Sequence, residues 1–137
     1  YTGTGTFKEA SMYGVTPAIV FYAHDMTATR QFYETVGLAF AEEQHGGGPV
    51  HYACDLQGMV LEIYPLRAGV AAKPCDTVAL VLFVDEFEKV LAGVRAMDLK
   101  PGKVGVYVES QGLRSVSVRD PDGLLVRLLE RDPLIVQ

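Results

Sequence analysis

Two charged residues stand inside apolar strands at matched places. Glu62 lies in Gly58-Met-Val-Leu-Glu62-Ile-Tyr-Pro65, and Arg127 lies in Gly123-Leu-Leu-Val-Arg127-Leu-Leu-Glu130. Glycine to glycine and charge to charge, the offset is 65 residues. A duplicated unit puts these two charges at equivalent points of two pseudo-symmetric halves. A carboxylate meeting a guanidinium forms a charge-assisted pair, and a guanidinium left free holds a polar group of a ligand. His51 adds a third group. It stands on the strand before Glu62, and a two-residue turn keeps both side chains on one face. A turn at Leu56-Gln57 sets His51 opposite Glu62. A turn at Gln57-Gly58 sets Ala53 opposite Glu62 and leaves His51 diagonal. Imidazole beside carboxylate is a candidate acid–base dyad.

The elements that carry these residues follow from pattern. Residues 16–24 are rich in β-formers. Asp25 is placed to cap a helix over Met26–Val36, whose Phe32, Tyr33 and Val36 share a face, and Gly37 ends it. Strands are expected over residues 38–44, 50–55 and 58–65, with His45-Gly46-Gly47-Gly48-Pro49 as a hairpin tip rather than a phosphate cradle, because no helix follows it. Then the pattern restarts. Residues 77–84 read as a strand, and Asp85 with Glu88 has the form of a capping box. Phe87, Val90, Leu91, Val94 and Met97 make a helical stripe. Residues 100–109, 113–119 and 124–130 complete the second half, the last two joined by an Asp120-Pro121-Asp122-Gly123 turn. The expected organisation is an extension over 1–15, a first module over 16–66, a linker over 67–76, a second module over 77–131 and a tail over 132–137. A repeat of strand–helix–strand–strand–strand leaves one face of each sheet to be covered by the other half, a partner or a ligand.

Composition narrows the functions. The 137 residues are 49% hydrophobic and 21% charged, as in an ordinary globular protein. No apolar run approaches the ~18 residues of a membrane span. A net charge of −5 and the lack of a basic stripe count against nucleic acid. Cys54 and Cys75 lack metal-type spacing, and Cys54 reads as a reduced core residue, which suits a cytoplasmic protein. No signal peptide is visible, although the chain begins at Tyr1 rather than Met.

At this point the chain resembles the vicinal oxygen chelate superfamily of glyoxalases, extradiol dioxygenases and fosfomycin and bleomycin resistance proteins. The resemblance rests on Phe21-Tyr-Ala-His-Asp25, Ala28-Thr-Arg-Gln-Phe-Tyr33, Val36-Gly-Leu38, Leu61-Glu-Ile-Tyr-Pro65, Phe83-Val-Asp-Glu-Phe87 and Arg119-Asp-Pro-Asp-Gly123. It implies an α+β fold of two tandem βαβββ modules whose curved mixed sheets make a cup, commonly in a homodimer. It also implies four metal-ligand positions, which fall at Ala18, Glu62, Ala79 and Arg127. Two alanines offer no lone pair, and an arginine puts a permanent cation where the ion's charge would sit. The expectation is therefore no metal and no cofactor, with a Glu62–Arg127 pair in the ion's place. Ligand contacts are expected from Tyr22, Glu62, Tyr64, Phe83 and Arg127, and the weak catalytic candidates are His51 and Glu62. His24 and His45 are expected in solvent, and Arg114 and Arg119 in strand-end contacts. The expected function is metal-free binding of a small organic molecule, of the sequestration or resistance type. The alternative is a lyase, isomerase or dioxygenase, metal-independent through His51 and Glu62 or metal-dependent through non-standard ligands. A second alternative is a structural or regulatory dimer with no ligand. Neither nucleic acid nor membrane is an expected partner.

Overall fold

The computed structural model describes residues 14–134. The arm expected over residues 1–15 therefore falls almost wholly outside the described residues. The first module runs β1 (Ala18–Ala23), α1 (Met26–Val36), β2 (Ala41–Glu43), β3 (His51–Leu56) and β4 (Met59–Pro65). The second runs β5 (Cys75–Val84), α2 (Phe87–Ala96), β6 (Gly105–Val108), a 3-10 turn (Glu109–Gln111), β7 (Leu113–Arg119) and β8 (Leu124–Glu130). Each module makes a four-stranded mixed sheet, in the orders β1-β4-β3-β2 and β5-β8-β7-β6. In each, the first strand runs parallel to the last because the helix carries the chain across the sheet. The duplicated βαβββ architecture expected from the sequence is the one observed.

Alternation decides which side of each sheet is buried. Leu61 and Ile63 of β4 and Val126 and Leu128 of β8 point to the helices and are at most 1% exposed. They join Phe32, Tyr33 and Val36 of α1 and Phe87, Val90, Leu91 and Val94 of α2 in a single core. The helices approach closely at Gly93, where a Cβ would stand 2.6 Å from Thr35 Cγ2. The modules therefore share their helical sides, and each sheet turns its other face outward.

A polar lock holds the two halves together inside this core. The Tyr33 hydroxyl donates to Asp120 Oδ2 at 2.7 Å. Asp120 Oδ1 accepts from the backbone N–H groups of Asp122, at 2.9 Å, and Leu124, at 3.0 Å. Burial first, and then the Asp120 charge, push the Tyr33 phenol far up, so it stays a donor. Beside it the Asp122 carboxylate accepts from Thr29 Oγ1 at 3.1 Å and meets His24 Nδ1 at 2.5 Å, and this hydrogen bond holds the exposed imidazole's pKa above its ordinary value.

Local differences from the expected elements have local causes. β2 begins at Ala41 rather than at residue 38, since Phe40 turns into the core and its carbonyl accepts from Arg30 Nη2. β6 begins at Gly105 rather than at residue 100. Pro101 has no N–H to give, and the Gly102 N–H goes to Ser117 O at 2.8 Å. β5 begins at Cys75 rather than at residue 77, with an irregular register between Cys75 and Ala79.

The Asp85–Glu88 capping box does not form. The α2 N-cap is Glu86, in a left-handed conformation and without a side-chain cap bond. Asp85 instead pairs with Arg131, and Glu88 with Arg114. Arg114 also grips Glu130 with both ends of its guanidinium, at 3.1 and 3.0 Å. Hydrogen bonding from Arg114 holds the Glu130 carboxyl below its ordinary value. A carboxylate with a depressed folded pKa stabilises the protein above its unfolded pKa, and that contribution fades as pH falls through the folded one. Unfolding measured from pH 6 down to about pH 3 should therefore show a shallower acid loss in Arg114→Ala than in the parent. Parallel profiles would show the pair to be without effect.

Candidate functional site

The outward face of the first sheet brings most of the expected residues together. The turn between β3 and β4 is Gln57-Gly58, both at positive φ, the geometry of a two-residue hairpin. This is the register that pairs Ala53 with Glu62. Glu43 pairs with His51 across β2 and β3, and Tyr22 pairs with Tyr64 across β1 and β4. With His51 diagonal to Glu62, a row of Glu43, His51, Tyr64 and Tyr22 crosses the whole sheet. The His51 and Tyr64 rings stack at 4.2 Å, and the Tyr64 and Tyr22 rings tilt at 6.3 Å.

His51 is the centre of this row and is only 1% exposed. Its Nδ1 lies 3.2 Å from the Pro49 carbonyl, an acceptor only, so Nδ1 carries a proton and donates. Its Nε2 is thereby aimed across the face. It lies 3.4 Å from Glu43 Oε1, 3.5 Å from Glu62 Oε2 and 3.4 Å from the Tyr64 hydroxyl. Desolvation, then Glu62 and Glu43, push the Tyr64 phenol above its ordinary value, so it stays neutral. The expected His51–Glu62 juxtaposition is thus present.

Sequence reasoning missed Glu43, whereas His45 is exposed as expected, its side chain 74% accessible. The His45 ring leans back to 5.1 Å from His51, and its Nε2 lies 3.5 Å from Glu43 Oε1. The signal was available, because a hairpin centred on Gly47 puts Glu43 opposite His51. His24 is exposed as expected, and Arg119 binds the Cys75 and Gly123 carbonyls.

The second sheet's open face carries Ala79, Val81, Phe83 and Arg127. Val81 and Phe83 are 43% and 56% exposed, and Arg127 is exposed between Val81 and Ser117. The expected Glu62–Arg127 pair needs correction within one chain. Among the described residues no ion pair joins them, because the modules meet through their helices and the two open faces belong to separate sheets. A concavity of about 1270 Å³ among those residues touches Val81 and Phe83 but not Tyr22, Glu62, Tyr64 or Arg127. Among the described residues the two open faces therefore form no closed cup within one chain.

No protein-family model and no curated protein matches this sequence. Solved structures do match. A glyoxalase/dioxygenase from Nostoc punctiforme aligns over 89% of this chain and 94% of its own, at 17% identity and a TM-score of 0.66. The fosfomycin resistance protein FosX from Mesorhizobium loti aligns over 88% and 93%, at 15% identity and a TM-score of 0.61. The chain has the glyoxalase-type fold. The bleomycin resistance determinant encoded on transposon Tn5 shares it, over 86% of this chain and 98% of its own, at 17% identity and a TM-score of 0.55. The four ligand positions that the resemblance implied do not suit an ion here. Ala18 and Ala79 have no donor atom, Arg127 is cationic, and Glu62 alone cannot hold a divalent metal. Among the described residues no helix is long and apolar enough to cross a membrane.

Proposed function

We propose that the protein binds a small organic molecule against its open sheet faces, with the cup closed by a second copy and no ion at the four usual positions. The observation that carries this reading is the set of large apolar and aromatic side chains left outside on the strands nearest those positions. Tyr22 is 57% exposed and Phe83 is 56% exposed, although the helical side of the same sheets is fully packed. An apolar, aromatic surface with a few polar groups suits an organic ligand. Tyr22 and Phe83 supply the flat contacts, and Glu62, Tyr64 and Arg127 supply the polar ones. Two structural neighbours are named for resistance to bleomycin and to fosfomycin, and the reading taken for this chain is a sequestering role, in which binding alone is the activity.

A thermal-shift screen of planar and phosphonate-type organic molecules, bleomycin and fosfomycin included, tests this. A true ligand raises the melting temperature in proportion to its occupancy. Its affinity should fall at least about tenfold in both Tyr22→Ala and Arg127→Ala, which is ~1.4 kcal/mol of contact energy. A ligand whose affinity neither change alters would bind elsewhere. No shift from any compound would favour a bare scaffold.

A further inference from the structure

We infer that the β2–β3 hairpin carries a binding site for a divalent transition-metal ion, made by Glu43, His45 and His51. None of these three residues is among the four positions tested above, although Glu62 borders both, and all three lie in one chain, so the site goes beyond the cup reading and stands or falls without it.

The first argument is electrostatic. His51 is buried and its Nδ1–H is committed to the Pro49 carbonyl. Nε2 is thus the unprotonated nitrogen, and it lies 3.4 Å from Glu43 Oε1, 3.5 Å from Glu62 Oε2 and 3.4 Å from the Tyr64 hydroxyl. The Tyr64 hydroxyl has one proton to give to this group, and a cation among the nitrogen and the two carboxylates offsets the remaining repulsion. A backbone carbonyl on the far ring nitrogen is the arrangement that fixes a histidine's tautomer for metal binding.

The second argument is geometric. Tetrahedral ligands about 2.0–2.1 Å from zinc stand about 3.3–3.4 Å from each other. His51 Nε2 to Glu43 Oε1 is 3.4 Å, and His45 Nε2 to the same oxygen is 3.5 Å. One ligand atom from each of Glu43, His45 and His51 lies within 4.8 Å of the others. Both imidazoles thus stand at about an edge's length from the Glu43 oxygen, and the exposed His45 side chain has room to close the remaining distance to His51.

The loop explains how His45 reaches the site. Gly48 N–H donates to His45 O at 3.0 Å, closing a tight turn over Gly46 and Gly47. A Cβ at Gly48 would stand 3.1 Å from the same carbonyl oxygen, so glycine suits that approach. The Gln44 side-chain amide donates to Gly48 O at 2.9 Å and pins the other flank.

Two imidazoles and one carboxylate select first-row transition ions such as Zn²⁺, Co²⁺ or Fe²⁺ over Mg²⁺ or Ca²⁺, which prefer all-oxygen sets. Glu62, beside His51 Nε2, is the further carboxylate that balances the ion's charge.

The test uses tag-free full-length protein, stripped with chelator and dialysed. Co²⁺ is titrated by visible absorption and Zn²⁺ by calorimetry. One equivalent should bind, with d–d bands of a nitrogen- and oxygen-ligated Co²⁺. His45→Ala, on an exposed loop that the core does not need, should weaken binding at least about tenfold, and Glu43→Gln should do the same. His24→Ala should leave it unchanged. No saturable uptake up to ~1 mM would overturn the site. Uptake with unchanged affinity in both hairpin variants would overturn it as well. Either failure leaves the organic-ligand screen untouched.

Discussion

Asp120→Ala lowers the free energy of unfolding by about 3–5 kcal/mol, the cost of removing one partner from a buried, charge-assisted network. The residue is 5% exposed, and its carboxylate accepts from the Tyr33 hydroxyl and from two backbone N–H groups. Alanine strands all three donors where water has little access. It also cuts the polar link from α1 of the first module to the β7–β8 turn of the second. Tyr33→Phe is the control. It removes one hydroxyl but leaves Asp120 its two backbone donors, so it should cost about 1.5–3 kcal/mol. Urea unfolding monitored by circular dichroism gives both values, with the slope of the transition as a check that the denatured state is unchanged. A loss under ~1 kcal/mol for Asp120→Ala would show that water takes over the stranded donors.

On the proposed reading, in which a second copy closes the cup, Phe83→Asp should turn the dimer into a monomer and abolish ligand binding in the same protein. Phe83 is 56% exposed on the open face of the second sheet, beside Val81 at 43%. If a second copy closes the cup, these side chains are where it presses. A carboxylate buried there without a partner costs several kcal/mol, and two-fold symmetry applies that cost twice. The dimer dissociation constant should rise by at least ~100-fold, or ~2.8 kcal/mol. Sedimentation equilibrium measures the association, and circular dichroism confirms that the variant stays folded, since the site faces away from the core. A variant that stays dimeric would place the subunit contact elsewhere. A parent protein that is monomeric at ~100 μM would leave the open faces without the closing surface proposed for them.

The repeat, the helix faces and the turn positions were legible in the sequence because they are local. The stripe of Phe87, Val90, Leu91 and Val94 needs only a 3.6-residue period to be read as a buried helix face, and those four residues are in the core. Asp25 needs only its own neighbours to cap α1, and its carboxylate accepts from the Ala28 N–H. The shared face of His51 and Glu62 follows from alternation and a two-residue turn, and the contact is 3.5 Å. The capping box of α2 failed although its residue pattern was correct. Arg114 and Arg131 come from strands far along the chain and claim Glu88 and Asp85, a competition that no local window contains.

How the two halves would meet was beyond local reading. The 65-residue offset made Glu62 and Arg127 equivalent, and equivalence alone says nothing of whether they face each other. The core decided that. Burying two amphipathic helices against each other puts both open faces outside, and the charges stand on different sheets. Glu43 and His45 were legible only in part. Hairpin register could pair Glu43 with His51, but the return of His45 depends on a glycine turn closing on its own carbonyl. The residue types in the chain are enough to specify two modules and their buried sides. Only the packed molecule selects which polar side chains share a space, because that depends on where long-range contacts aim atoms that the sequence merely supplies.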